Sequence, residues 1–185
     1  MTDHRFGSTT VELVVGDIAA QTGFDAVVNA ANAELRIGGG VAGALHRVAG
    51  PGLEEETRPL APIGPGQAVI TSGHRLPNPY VIHCLGPVYG MDEPPDVLLA
   101  SCYRRALDLA EAAGLRSVAF PAISTGAFGY PMEPAAMIAL ETVAGRAQGL
   151  ESVERIRFVL HDEPALEVHA RALEQIAGKG DGPAP

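Results

Sequence analysis

The sequence predicts an α/β protein, a three-layer α/β/α sandwich around a mixed central sheet. Three observations predict it. Short β-branched and apolar runs alternate along the chain with segments whose apolar residues recur at helical spacing. Two of the runs, Ala68 to Ser72 and Tyr80 to Leu85, are joined by a turn-rich link, so one hairpin interrupts an otherwise alternating order. The length, 185 residues, suits one domain with a substantial core and leaves little for a second.

Residues 1–9 are polar and read as a flexible start; the domain is expected over 10–177. Thr10 to Val15 (TVELVV) has strong strand propensity and runs into the turn Gly16-Asp17-Ile18. Phe24 to Asn29 is the next strand, and a small-residue run from Val41 to Ala49 suits a helix. Leu53 to Arg58 fits a second short helix, and Pro59 to Gly66 is a proline- and glycine-rich connector. The hairpin strands follow, linked by His74 to Pro79, and Gly86 to Pro95 is a further loop. Leu98, Cys102, Ala106, Leu109 and Ala113 mark one face of a helix that Gly114 stops. Ser117 to Phe120 is a strand, Pro134 to Ala147 a helix, and Arg155 to Leu160 a closing strand. Pro164 opens the last amphipathic helix, and residues 178–185 read as a disordered tail.

Composition excludes several classes of function. Thirteen basic against twenty-two acidic residues give a formal charge of −9, which disfavours a nucleic-acid binder with a broad basic face. No run approaches the roughly 18 apolar residues of a membrane span, and the start is unlike a signal peptide, so a cytoplasmic monomer is expected. Cys84 and Cys102 have no pairing pattern and no metal-ligand spacing and are expected to be reduced and structural; no metal or cofactor is expected.

Two loops carry the chemistry. After the strand ending in Asn29 come Asn32, then Gly38-Gly39-Gly40, then the helix start at Val41. Glycine admits a ligand close to the backbone, helix-start N–H groups face an anion, and amide side chains serve sugar hydroxyls. About ninety residues on, PAISTGAFGYP (Pro121 to Pro131) leaves another strand end with two glycines and the hydroxyl pair Ser124-Thr125. Ligands of α/β sheets bind beyond the carboxyl ends of strands, so side by side these loops suit a diphosphate. Phe128 either lies against a sugar or ring or folds back onto the core. Local chemistry makes Asp17 a turn or cap residue. His46 and His83 read as core, Tyr130 as packing, and Glu54-Glu55-Glu56 as a solvated helix face. A nicotinamide-cofactor dehydrogenase is rejected, because no GxGxxG follows the first strand.

From about Val11 to Ala177 the sequence resembles the macrodomains, which bind ADP-ribose. The resemblance rests on Gly16-Asp17-Ile18, VVNAAN (Val27 to Asn32), GGGV (Gly38 to Val41), VIHCLGP (Val81 to Pro87) and AFPAISTGAFGYP (Ala119 to Pro131), all in order. It implies that Asp17 accepts a hydrogen bond from the adenine amino group, with the Ile18 backbone beside it. Asn32 would hold the distal ribose, and Gly38, Gly39, Gly40 and Val41 would cover that ribose and the diphosphate. Ser124, Thr125, Gly126, Ala127 and Phe128 would form the phosphate-gripping loop, with Phe128 against the distal ribose. His161 falls where some members carry an aromatic against adenine, and a histidine stacks more weakly.

Many macrodomains hydrolyse the bond between ADP-ribose and an acidic side chain, or deacetylate O-acetyl-ADP-ribose. The fullest hydrolase motif reads GGGGVD, whereas this chain has Ile37-Gly38-Gly39-Gly40-Val41-Ala42. Ile37 replaces a glycine, and Ala42 replaces the aspartate that is the obvious general base. The resemblance therefore implies an ADP-ribosyl hydrolase acting through a substrate-activated water, with Asn32 and Gly40 as catalytic residues and ADP-ribosylated proteins as partners. A non-catalytic ADP-ribose reader is the alternative. A phosphatase acting on ADP-ribose 1″-phosphate would use the same pocket.

Overall fold

The computed structural model describes residues 2–180. These form one seven-stranded sheet whose strands are β1 (Thr2–Phe6), β2 (Thr9–Val15), β3 (Ala26–Ala30), β4 (Ala68–Ser72), β5 (Tyr80–Cys84), β6 (Ser117–Phe120) and β7 (Arg155–Leu160). Their spatial order is β1-β2-β7-β6-β3-β5-β4. The inner strands β2, β7, β6, β3 and β5 are mutually parallel; β1 and β4 are antiparallel edges. Parallel strands buried on both faces need apolar side chains in both directions, and these have them. Val28, Val118 and Phe158 enter one core with helices α3 (Pro95–Ala112), α4 (Met132–Ala147) and α5 (Glu163–Gly180). Val27, Ala119 and Val159 enter a second core under α1 (Gly40–Ala49) and α2 (Pro51–Thr57). The period of two along each strand thus splits one sequence run between two layers of helices, giving the three-layer sandwich.

Three expectations need correction. The predicted flexible start, residues 1–9, contains β1, which pairs with β2 from Thr2↔Leu13 to Phe6↔Thr9. Its alternation is that of an edge strand: Asp3 and Arg5 are exposed, while Thr2, His4 and Phe6 are half-buried. Two residues, Gly7-Ser8, close the hairpin, a turn length that signals strand pairing despite a polar sequence. At the other end, α5 continues through Gly180, so the tail expected from 178 starts three residues too early; residues 181–185 lie outside the described part. Finally, Asn29 is inside β3 and buried rather than at a strand exit.

Topology places the site. From β3 the chain proceeds towards β5 and β4; from β6 it returns through α4 towards β7. The boundary between β6 and β3 is therefore the switch point of the sheet, where a crevice opens at the carboxyl ends of the strands. Both glycine-bearing loops leave from these two strands.

Candidate functional site

A cavity of about 670 Å³ opens at that crevice, within the size range of small-molecule sites. It is lined by segments leaving four adjacent parallel strands: Gly16, Asp17 and Ile18 after β2, Leu160 and His161 at the end of β7, Pro121, Ala122 and Ser124 to Phe128 after β6, and Ala31, Asn32 and Gly38 to Ala42 after β3. With strands roughly 4.8 Å apart, three gaps separate Asp17 from Asn32 by about 14 Å, so the cavity is elongated. Every residue named from the sequence lines it: Asp17, Ile18, Asn32, Gly38, Gly39, Gly40, Val41, Ser124, Thr125, Gly126, Ala127, Phe128 and His161. Ala42 and Ala44 of α1 and the Pro121-Ala122 pair also line it; sequence reading assigns none of them a ligand contact and marks Ala42 only as replacing an aspartate. Their signal was simple adjacency to the glycines and to the strand end.

The chief polar offering is main chain. In the first loop Gly39, a residue with no side chain to cap the helix, precedes α1. Among the described residues, the N–H groups of Gly39, Gly40, Val41 and Ala42 find no protein acceptor, nor does that of Gly38. In the second loop the same holds for Ser124, Gly126, Ala127 and Phe128. The first N–H groups of a helix and those of a glycine loop have no partner within their own element, so two loops carrying them on one cavity suit an anion. Among the described residues no lysine or arginine lines the cavity, and the one carboxylate that does, Asp17, stands at the far end.

Each side chain has a measurable local job. Asp17 caps the 3₁₀ turn Ile18–Ala20, its Oδ1 accepting from the Ala19 N–H at 2.9 Å, while Oδ2 keeps its capacity. The cap reading of Asp17 is therefore right, and it leaves the second oxygen for another donor. Asn32 ties its loop into a ring: Nδ2 donates to the Arg36 carbonyl at 2.9 Å and Oδ1 accepts from the Arg36 N–H at 3.0 Å. Each of these atoms can make one further bond. Of the two hydroxyls of the second loop, only that of Thr125 is spent on the protein. Thr125 Oγ1 donates to the Ala122 carbonyl at 2.8 Å, and Ser124 Oγ is buried without a partner. Phe128 packs on the cluster of Ala31, Leu35, Ile63 and Leu85 and also lines the cavity. His161 is mostly exposed and pairs with Asp162 at 2.9 Å.

Gly40 shows why the first loop needs glycine. Its φ is +53°, a conformation L side chains rarely adopt, and a Cβ there would meet no atom within 4 Å, so any side chain projects into open space.

The remaining histidines and cysteines are structural. His83 is fully buried between Asn29 Nδ2 at 3.1 Å and Thr71 Oγ1 at 2.9 Å; burial first, then the charge of nearby His46, lowers its pKa to about 3. His46 is likewise lowered by burial, against the pull of Glu54. Cys84 and Cys102 are buried free thiols, and burial pushes Cys102 up to about 12. The acidic run on α2 is more than a solvated face. Glu54 accepts from the Ile37 N–H at 3.3 Å, and Glu56 holds Ser72 and His74, at 2.6 Å from each side chain. Among the described residues no group of three or more His, Cys, Asp or Glu is arranged to share a metal ion, and no helix is long and apolar enough to cross a membrane.

Comparisons with known proteins agree with this geometry. The Macro domain family matches residues 28–139. A macro domain-containing protein of Streptomyces coelicolor is 48% identical over 171 residues, covering 89% of this chain and 99% of that protein. An O-acetyl-ADP-ribose deacetylase of Salmonella newport is 43% identical over 182 residues, covering 96% and 99%. Among solved structures, a variant of the Oceanobacillus iheyensis macrodomain with ADPR is similar at a TM-score of 0.92 and 36% identity, covering 96% of this chain and 98% of that one.

Proposed function

Because the chain belongs to the macrodomain family, we propose that it binds ADP-ribose and releases mono-ADP-ribose from acidic side chains of modified proteins, or acetate from O-acetyl-ADP-ribose. The observation that carries this reading is the pair of loops with unpaired N–H groups at one end of an elongated cavity and Asp17 at the other. A diphosphate fits the first, an adenine amino group the second. Asp17 Oδ2 accepts from that amino group, and the Ile18 N–H serves the ring beside it. The free valences of Asn32 hold the distal ribose.

Ala42 offers no base, so the substrate supplies its own. A water between the α-phosphate and the distal ribose passes a proton to a phosphate oxygen as its oxygen bonds to the anomeric carbon. In the protein-linked ester the bond from that carbon to the ester oxygen breaks and the acceptor leaves as a carboxylate. In O-acetyl-ADP-ribose acylated at another sugar oxygen, the water instead bonds to the acetyl carbon. The bond from the acetyl carbon to the sugar oxygen then breaks, the sugar oxygen takes a proton and acetate leaves. Proximity supplies most of the rate, and the open space at Gly40 leaves room for the water. No metal is required in this scheme.

One observation favours a second reading, a reader that binds without turnover: among the described residues Asp17 is the only carboxylate lining the cavity. The deciding experiment is incubation with a protein carrying mono-ADP-ribose on glutamate, beside an Asn32→Ala control. Release of free ADP-ribose, lost in the control, is expected. Tight binding with no release would make the protein a reader and Ala42 the reason.

A further inference from the structure

The main chain of the second loop is held from behind by two residues that do not line the cavity. Tyr103 of α3 is 1% exposed, with its ring packed at centroid distances of 5.3 Å from Phe120 and 5.9 Å from Phe158. Its hydroxyl accepts from the Ile123 N–H at 3.1 Å and donates to the Pro121 carbonyl at 3.4 Å. It therefore bridges the residues on either side of Ala122, whose carbonyl in turn accepts from Thr125. Gly86 closes the other side. A Cβ there would overlap the Ser124 hydroxyl and come within 2.6 Å of Ile123 Cγ2. Ser124 itself holds φ +66°, so its backbone depends on neighbours that over-determine it.

We propose that Tyr103 and Gly86 are positioning residues, which fix the second loop in the shape that turns the N–H groups of Ser124, Gly126, Ala127 and Phe128 towards a diphosphate. The diphosphate rests on the function proposed above; the bracing does not. A hydroxyl buried among aromatic rings would cost free energy unless paired, and here both of its capacities are spent on one loop's backbone. Burial pushes the Tyr103 phenol far above its ordinary pKa, so it remains a donor throughout the working range. The arrangement places support for binding some twenty residues upstream of the loop, on a helix with no part in the cavity wall.

The test is Tyr103→Phe, which deletes one oxygen and keeps the ring. In unliganded protein, NMR hydrogen exchange should show the Ile123 amide losing protection relative to the neighbouring core strands. Unchanged protection would overturn the bracing. Loss of one such pair should weaken ADP-ribose binding by about tenfold. Adenosine, which has no phosphate, should bind as it does to the unaltered protein, within about twofold. An equal loss for both ligands, or for neither, would refute positioning of a phosphate-binding loop. Gly86→Ala should produce the same selective loss, partly recovered by adding Ser124→Gly, which removes the hydroxyl the new Cβ strikes; no recovery would overturn the part assigned to Gly86. Unaltered protein that binds no ADP-ribose would defeat the functional reading separately, since the exchange measurement needs no ligand.

Discussion

The two glycine loops look alike in the sequence and are built differently. The first is anchored at buried Leu35, whose carbonyl accepts from the Thr57 hydroxyl, and ends in an exposed tip held by nearer neighbours: Asn32 grips Arg36, and Glu54 of α2 takes the Ile37 N–H. The second is held across the fold by Tyr103 from α3, by Gly86 after β5, and by a bond from the Tyr89 N–H to the Phe128 carbonyl at 2.9 Å. The tip of the first loop, Gly39 and Gly40, meets open space, whereas the second loop is shaped by buried contacts. The tip of the first can therefore be altered at the ligand with little disturbance of the fold. The second transmits changes made far from the ligand. Anion binding needs only that both present N–H groups to the same point, and the two routes achieve this with different sensitivity to mutation.

The largest expected effect is at the open end of this comparison. Gly40→Glu should weaken ADP-ribose binding by more than about a hundredfold, because a carboxylate side chain enters a cradle of N–H groups meant for an anion. The fold should lose only about 1–2 kcal/mol, the cost of a non-glycine residue in the left-handed region. Calorimetric titration together with a thermal melt separates the two. Retained binding would mean that the first loop does not cover the ligand, and a collapse of the fold would erase the contrast between the loops.

The same contrast decides what a sequence reader can see. The strands Ala68–Ser72, Ser117–Phe120 and Arg155–Leu160 are legible because β-branched and apolar runs stand between clear breaks. The lining of the cavity is legible because glycine, asparagine and small residues mark places where backbone must meet ligand. The supports are another matter. Tyr103 sits on an ordinary amphipathic face and offers no sign that its hydroxyl reaches Pro121 and Ile123; only the packing of α3 on the sheet brings them together. Gly86 carries a weak signal, a glycine after a strand, with no way to tell which side chain occupies the space. Likewise β1 hides because an edge strand with water on one side needs few apolar residues, and nothing in Ser124-Thr125 shows that the Thr125 hydroxyl alone is spent on the Ala122 carbonyl.

Acid should act on the supports unequally, with an effect smaller than Gly40→Glu. His83 joins the strand leading to the first loop, through Asn29, to Thr71 of β4. It stays neutral in the folded protein down to about pH 3, whereas an imidazole in the unfolded chain takes up a proton near pH 6.5. Between those values the unfolded state binds more protons, so the stability is complete above pH 6.5 and falls as the pH drops towards 3. From pH 7 to pH 5 this group contributes a loss of at most about 2 kcal/mol. His46 and His169, both lowered by burial, act in the same direction. Tyr103, whose phenol remains protonated, adds nothing in acid. Denaturant midpoints at the two pH values test this. A flat profile would contradict a neutral buried His83, and His83→Gln should reduce the slope.

The smallest effect belongs to the end of the cavity that neither loop reaches. Asp17 has one oxygen committed to the Ala19 N–H and one left over, so Asp17→Ala removes a helix cap and an acceptor together. Loss of the cap should cost about 1 kcal/mol of stability. Loss of the acceptor should weaken ADP-ribose binding by roughly fivefold to tenfold. The telling measurement is a comparison with inosine diphosphate ribose, which carries a carbonyl where adenine carries its amino group. The unaltered protein should prefer adenine, because an Asp17 oxygen faces a donor in one ligand and an acceptor in the other. Asp17→Ala should bind the two alike. Since the loops are untouched, the affinity that remains in this variant measures what the two N–H cradles supply alone. A preference for adenine that survived the substitution would move the base to another part of the cavity wall, with the His161 ring as the next group to test.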